Sequence, residues 1–463
     1  MWHIAKRELY DNLNSLRFAL ATFLLLGLML TNAVVHLREH PERVQKYIEN
    51  VTAHQNRLKS HANASFYELA QKGPGTLHKK PSALHFCAGR GEAFLSAHVS
   101  SIQSWSWQER GLEGLWSLWY PSATPNRNNV DPDVTKVDWG FIIGYVLSLL
   151  ALLFTFDSIS SEREYGTLRL MLANAMPRHT VLIGKFLGAL ISISIPFTLA
   201  VLVNLLVIST SSDAYLGADA WGRLGIIYFI ALLYTCLFLA LGLLVSARVQ
   251  RSAVSLVILL LAWVTLIVFM PSTLASIAGR SLPLKWERVS QRERRAEYNK
   301  HWHEAHGDQR KQLQLSGEYV TKDAEQRERL HEAHLKQGIS QVNRARSITR
   351  FSPGTIVEHL LESFAGTGFE RHLQFLENVQ SYARQFREFI VDTDSADPES
   401  LHIFGVREGV SQKSVNPETV PKFEDTRNFR RDFDAAAMDL LLLTLFFVVF
   451  LSGAFLVFVR VEV

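Results

Sequence analysis

Val181-Leu-Ile-Gly-Lys185-Phe-Leu-Gly-Ala-Leu-Ile-Ser-Ile-Ser-Ile-Pro196-Phe-Thr-Leu-Ala-Val-Leu-Val-Asn204-Leu-Leu-Val-Ile208 is a run of 28 residues whose one charged side chain, Lys185, lies just inside its edge. About 20 apolar residues suffice for a helix to cross hydrocarbon, whereas the core of a soluble domain has no reason to produce so long a run. Five further runs have the same texture and contain no Asp, Glu, Lys or Arg: Phe18–Val35, Gly140–Phe156, Leu224–Val245, Ala253–Met270 and Leu440–Val459. The chain averages resemble those of a soluble protein, with 48% hydrophobic residues among 463 and a net charge of +4. Those averages mix very apolar stretches with very polar ones, and composition only bounds the class. The expectation is an all-α membrane protein with six transmembrane helices and a large, mostly helical extracytoplasmic domain built from two insertions.

Working outward from that run, the segments between spans divide by charge. Lys and Arg near span ends and in short loops mark the cytoplasmic side. The head, residues 1–17, carries Lys6, Arg7 and Arg17; the loop 157–180 carries Arg163, Arg169 and Arg178; the loop 246–252 carries Arg248 and Arg251; the tail 460–463 carries Arg460. The short loop 209–222 on the other side has neither Lys nor Arg. Both termini are therefore expected in the cytoplasm, with spans at 18–35, 140–156, 181–208, 223–245, 253–270 and 440–459. Segments 36–139 and 271–439 then lie outside, being long enough to translocate despite their charge. The first run has a basic head and a Thr31-Asn32-Ala33 site like that of a cleavable leader. Its apolar stretch exceeds the roughly 7–15 residues of a leader core, and it is read as a span. Met1–Leu13 reads as an amphipathic helix at the membrane interface.

The loop after the second run reads Asp157-Ser-Ile-Ser-Ser-Glu162-Arg163-Glu164-Tyr-Gly166-Thr167-Leu168-Arg-Leu-Met-Leu-Ala-Asn-Ala-Met-Pro177-Arg178-His, followed by the Gly184-Lys185 entry into the third span. Arg163 between two carboxylates makes an ion-rich turn. Gly166 permits a tight bend, Thr167 can cap a helix, Leu168, Leu170, Met171 and Leu172 give that helix an apolar face, and Pro177 stops it. This order of about 30 residues, with the six-span layout, resembles the ABC-2 type transporter permeases. The long external segments resemble a bacterial subgroup of that family with a large extracytoplasmic insertion of unknown function. The resemblance implies a multi-pass protein of the bacterial inner membrane whose loop docks on an ABC ATPase. It also implies two copies of that ATPase and a second permease half, either a copy of this chain or a sister permease. Asp157, Glu162, Arg163, Glu164, Gly166, Thr167, Leu168, Pro177 and Lys185 are then the coupling residues. The only Gly-Lys pair resembling a phosphate-binding loop, Gly184-Lys185, lacks the other glycine and the hydroxyl. ATP and Mg therefore belong to the partner ATPase; no catalytic residue and no cofactor are expected in this chain.

Within the spans, Asn32, Pro196 and Asn204 serve either helix packing or a pathway, as polar groups at membrane depth do. Pro196 with Ser192 and Ser194 suggests a kink eased by hydroxyls. In the first external segment, Pro41–Leu69 has helical charge spacing, ended by Lys72-Gly-Pro-Gly75. Trp105, Trp107, Trp116, Trp119 and Tyr120 then suit the packing of a small domain better than a ligand surface. In the second, Lys285–Arg350 carries 15 basic and 10 acidic residues and reads as solvated helices paired about Gly317 or Gly338. Ser352-Pro353 opens a helix ending near Gly366 and Gly368. Phe375, Val379, Tyr382, Phe386 and Phe389 form a helical stripe that must bury one face. His303 and His306, with His331 and His334, share helix faces at i, i+3 and are weak candidates for a metal site, solvated histidines being the plainer reading. Cys87 and Cys236 are too far apart in kind to build a disulfide framework. No basic arm argues for nucleic acid. The expected partners are thus the ATPase, the second permease half, membrane lipid and a possible periplasmic protein. A metal-dependent enzyme or a sensor acting through the external histidines is the competing class.

Overall fold

A computed structural model of the protein describes residues 2–103, 115–121, 137–168, 177–211, 216–278, 289–305 and 307–460. The chain is mostly helical. A short helix, α1 (Trp2–Leu13), precedes α2 (Leu16–Ala64), a single 49-residue helix that Ser15 caps by accepting from Phe18 N. At 1.5 Å per residue it is about 74 Å long, more than twice a hydrocarbon core. The expected separate span and external helix are thus one rod. Pro41 does not interrupt it: an i, i+4 pair, Glu39 with Arg43 at 3.1 Å, straddles the ring, and His36 stacks on His40 at 4.7 Å in the turn before it.

The other long apolar helices are α6 (Arg178–Ser209), α7 (Ala218–Arg248), α8 (Ser252–Ile277) and α13 (Phe429–Val459). With α2 they make, among the described residues, five helices long and apolar enough to cross a membrane. The expected span at 140–156 is the shorter α4, Trp139–Leu153. Asp138 caps it by accepting from Phe141 N at 2.8 Å, and a π-helical turn occupies Ile142–Leu147. A second π turn lies in α8 at Val264–Phe269. Such turns leave carbonyls outside the i→i−4 ladder, and Ser352 Oγ donates to Leu266 O at 2.7 Å there. Trp263 Nε1 donates to Ser148 Oγ at 2.9 Å, tying α8 to α4. Between α4 and α6 the chain forms the one-turn α5 (Ser160–Glu164).

Outside the bundle, α3 (Phe66–Lys72) leads to a three-stranded antiparallel sheet, β1 (Thr76–His78), β2 (His98–Gln103) and β3 (Trp116–Trp119), in the order β1-β2-β3. The register pairs Leu77 with Val99 and Ser101 with Leu118. The sheet is a departure from the helical expectation, and part of the aromatic run supplies it. Trp116 is buried against Phe386, with their rings 5.9 Å apart; Trp105 and Trp107 lie outside the described residues. Gly73, at φ +66°, ends α3 where a Cβ would lie 2.3 Å from Trp116 Cγ.

The second external segment forms α9 (Val289–Glu304), α10 (Gln309–Thr349), α11 (Pro353–Ala365) and α12 (Gly368–Ser395). The hairpin expected at Gly317 or Gly338 turns instead at Gly307, φ +97°, with Asp308 capping α10. Gly317 sits inside α10 because Ile403 approaches so closely that a Cβ would meet its Cγ2 at 2.4 Å. Helix α11 runs from Ser352-Pro353 to Gly366 as expected. The Phe375, Val379, Tyr382 and Phe386 stripe is buried against Phe66, Leu77, Val99 and Leu118, so both external segments share one core. Ile356, Leu360, Leu361 and Phe364 of α11 belong instead to the core of the apolar bundle, with Leu25, Phe197 and Tyr234. That helix joins the two parts.

Candidate functional site

At the bundle end where α1 begins and α13 ends, the loop after α4 is held by side chains from four helices. Ser246 of α7, itself buried, accepts from both Ile159 N and Ser160 N at 3.0 Å and so starts α5. Asp157 pairs with Arg17 of α2 at 2.8 Å, and the guanidinium lies 4.8 Å over Phe156. Glu162 pairs with Lys185 of α6 at 2.8 Å. Lys185 also reaches Glu8 of α1 at 2.5 Å, and at 2% exposure it is a buried cation between two carboxylates. A buried charge is tolerated when paired in this way. Arg163 donates to Ala247 O at 3.4 Å. Glu164 accepts from Ser252 N at 3.2 Å and from Ser252 Oγ at 2.7 Å, at the first residue of α8. Those two bonds hold its carboxyl below the usual carboxylate range.

The loop then turns at Gly166, φ +75°, which favours glycine, and leaves the neighbouring Tyr165 82% exposed. Thr167 Oγ1 donates back to Glu162 O at 3.2 Å; the residues after Leu168 that it is expected to cap lie outside the described residues. Leu168 is buried. Leu170, Met171 and Leu172 of the expected apolar helix lie outside the described residues. Pro177 acts from the other side, standing in extended conformation before the first turn of α6. Arg178 next to it reaches the Phe458 and Val459 carbonyls of α13.

The residues read from the loop therefore come together, and the structure adds partners that sequence reasoning passed over: Glu8, Ser246 and Ser252, with Arg17 noticed only as a side marker. One signal was available. A lone Lys inside an apolar run requires a carboxylate from elsewhere in the chain, and α1 holds one in Glu8. The exposed Glu164–Thr167 corner is thus joined to its neighbours by ion pairs from Asp157 to α2 and from Glu162 to α6, and by hydrogen bonds to α7 and α8.

The polar span residues are used in packing. Asn204 Nδ2 donates to Met29 O at 2.6 Å and to Asn32 Oδ1 at 3.0 Å, while Asn32 Nδ2 donates to Phe86 O and Val137 O at 3.1 and 2.9 Å. Pro196 is buried inside an unbroken α6, where Thr198 Oγ1 donates to Ser194 O and Ser192 Oγ to Gly188 O. Of the histidine set, His331 Nδ1 lies 3.0 Å from Leu118 O and is occupied by the β3 backbone. His303 is exposed on α9, and His306 lies outside the described residues. Among the described residues no three His, Cys, Asp or Glu side chains converge as a metal would need.

A stretch of 113 residues is 34% identical to the probable ABC transporter permease protein NosY of Pseudomonas aeruginosa PAO1, covering 24% of this chain. The match spans 40% of that protein's length. The model of the family described as ABC-2 family transporter protein matches residues 2–463, essentially the whole sequence. With its several apolar helices and that match across its length, the chain is a multi-pass membrane protein belonging to the ABC-2 transporter family.

Proposed function

We propose that this chain is the membrane subunit of an ATP-driven transporter in which a separate cytoplasmic ABC ATPase, carrying ATP and Mg, pushes on the Asp157–Leu168 loop. The observation that supports the reading is the buried Lys185 bridge, at 2.8 Å to Glu162 and 2.5 Å to Glu8, which makes the loop and α1 one unit with the α6 span. A rigid corner tied to several helices is suited to passing force, whereas a connector would leave its charges in water. In this reading both termini face the cytoplasm of a bacterial inner membrane and the sheet-bearing unit lies outside. The membrane domain is completed by a copy of this chain or a sister permease, each half taking one ATPase. The stroke drives export or work on a substrate or partner outside the membrane.

The test is to co-express the protein with the ATPase of its own gene neighbourhood, purify in nanodiscs, and compare wild type with Glu162→Ala/Glu164→Ala. Capture of the ATPase by wild type, with capture or coupled ATP turnover lost in the double variant, supports the reading. No capture by wild type, or identical behaviour of the variant, removes it.

A further inference from the structure

Where α2 leaves the apolar bundle, a groove of about 580 Å³ runs between this helix and the loops around β1 and β2. Its helical wall extends from Asn32 to Asn50, about 27 Å of rise at 1.5 Å per residue. The wall changes character along that length. At the bundle end it presents Val35 with Phe86 and Val137; at the far end it presents Arg43, Lys46 and Tyr47.

The charges are unequal. Glu39 is matched by Arg43 at 3.1 Å, Glu92 by Lys79 at 2.6 Å and Asp138 by Arg90 at 3.4 Å. The four lining cations exceed the three lining carboxylates by Lys46, an exposed side chain at the polar end. Burial holds the His78 imidazole below its ordinary range, so this lining histidine adds no charge to the sum. His36 adds an unsatisfied polar atom: it is 6% exposed, edge-on to Phe86 at 4.9 Å, and its Nε2 is buried with no hydrogen-bond partner. A buried imidazole nitrogen left unpaired is costly unless a ligand or water meets it.

We propose that this groove binds a single-chain amphiphile with an anionic head, the chain lying against Val35, Phe86 and Val137 and the head beside Arg43 and Lys46. A polar anion alone would leave the apolar half of the groove wet, and an uncharged hydrocarbon would leave the surplus cation unmatched. The volume falls in the range that encloses one drug-sized molecule. The inference is independent of the coupling reading, since it concerns the opposite end of the bundle and needs no ATPase.

The test uses the full chain in nanodiscs and tritiated 16-carbon lysophosphatidylglycerol as probe. Wild type is expected to bind it saturably, with the same-chain lysophosphatidylcholine a weaker competitor and glycerol phosphate none. Val35→Trp, which fills the apolar end, and Lys46→Gln, at an exposed position where folding is not at stake, are each expected to weaken binding by about tenfold, equivalent to roughly 1.4 kcal/mol. Unchanged affinity in Lys46→Gln, or equal competition by the choline lipid, overturns the anionic head. Competition by glycerol phosphate overturns the amphiphile. Unchanged affinity in a monodisperse Val35→Trp protein places the probe on the lipid-facing surface and overturns the site.

Discussion

The two ends of the helical bundle both bury charge, but they do it differently. At the end with the termini, Lys185 bridges two carboxylates, Glu8 and Glu162, that each retain about a quarter of their exposure, 25% and 21%. At the opposite end, Arg223 and Asp432 form a pair at 2.7 Å in which both side chains are only 2% exposed. Asp432 also accepts from Gln374 Nε2 of α12 at 2.6 Å, and Arg223 donates to Phe364 O of α11. The first set of charges links a surface corner to several helices, so a partner can reach it. The second is sealed under the external unit and fixes where that unit sits. In the proposed reading, one end moves and the other holds.

The largest expected effect breaks the sealed pair. Asp432→Ala removes the buried partner of Arg223 and leaves it only the exposed carboxylate of Asp219 at 2.8 Å, a loss of about 3 kcal/mol, the low end for a buried pair that loses one member. A large fall in the thermal midpoint of the purified protein is expected; a shift of a degree or less would show that the pair is not part of the joint. Lys185→Met removes the cation at the other end but leaves two carboxylates that retain contact with water, so a smaller loss of about 1–3 kcal/mol is expected. Its distinguishing mark is lost ATPase coupling at a modest change in midpoint, the reverse of the Asp432 result.

Titration sharpens the comparison further. Glu362 of α11 is buried beside Glu358, Arg346, Asp138 and Arg90, and burial, with Glu358 adding to it, pushes its carboxyl up to about 8. A carboxyl with a raised folded-state value favours folding while protonated, and stability falls as pH rises from the unfolded value near 4.5 through about 8. Lowering the pH from 8 toward 5 is therefore expected to stabilise the joint through this group. Glu362→Gln should flatten that slope in thermal melts, and an unchanged slope would assign it to other groups. Smaller still, Trp263→Phe removes the bond to Ser148 and should cost about 1 kcal/mol. Smallest is Arg329→Gln, which breaks an exposed pair with Glu325 in α10 and should change stability by under about 0.5 kcal/mol.

Much of this was legible in the sequence, because apolar run length and helix punctuation act locally. The long spans, the start and end of α11 at Ser352 and Gly366, and the Phe375–Phe386 stripe follow from such signals. The loop residues Asp157 to Leu168 also gather where the sequence placed them together. What was not legible depends on approach between distant segments. Gly317 looks like a turn, yet Ile403 closing on it keeps it helical. Pro41 looks like a start, yet α2 runs through it, with the Glu39–Arg43 pair spanning the ring. The sheet was hidden because strands of three to six residues leave too short an alternation to read. Glu8 as partner of Lys185 lies 177 residues away, beyond any local pattern.

The central claim, that the Glu164–Thr167 corner is the face an ATPase touches, is tested most directly by photocrosslinking. A photoreactive phenylalanine is placed at Tyr165, 82% exposed at that corner, and in a parallel protein at Trp221, 51% exposed at the opposite end of the bundle. Each is co-expressed with the ATPase and irradiated in membranes. A crosslink to the ATPase from position 165 and none from 221 is the expected result. Crosslinking from 221 alone, or from neither position while the complex still co-purifies, would contradict it.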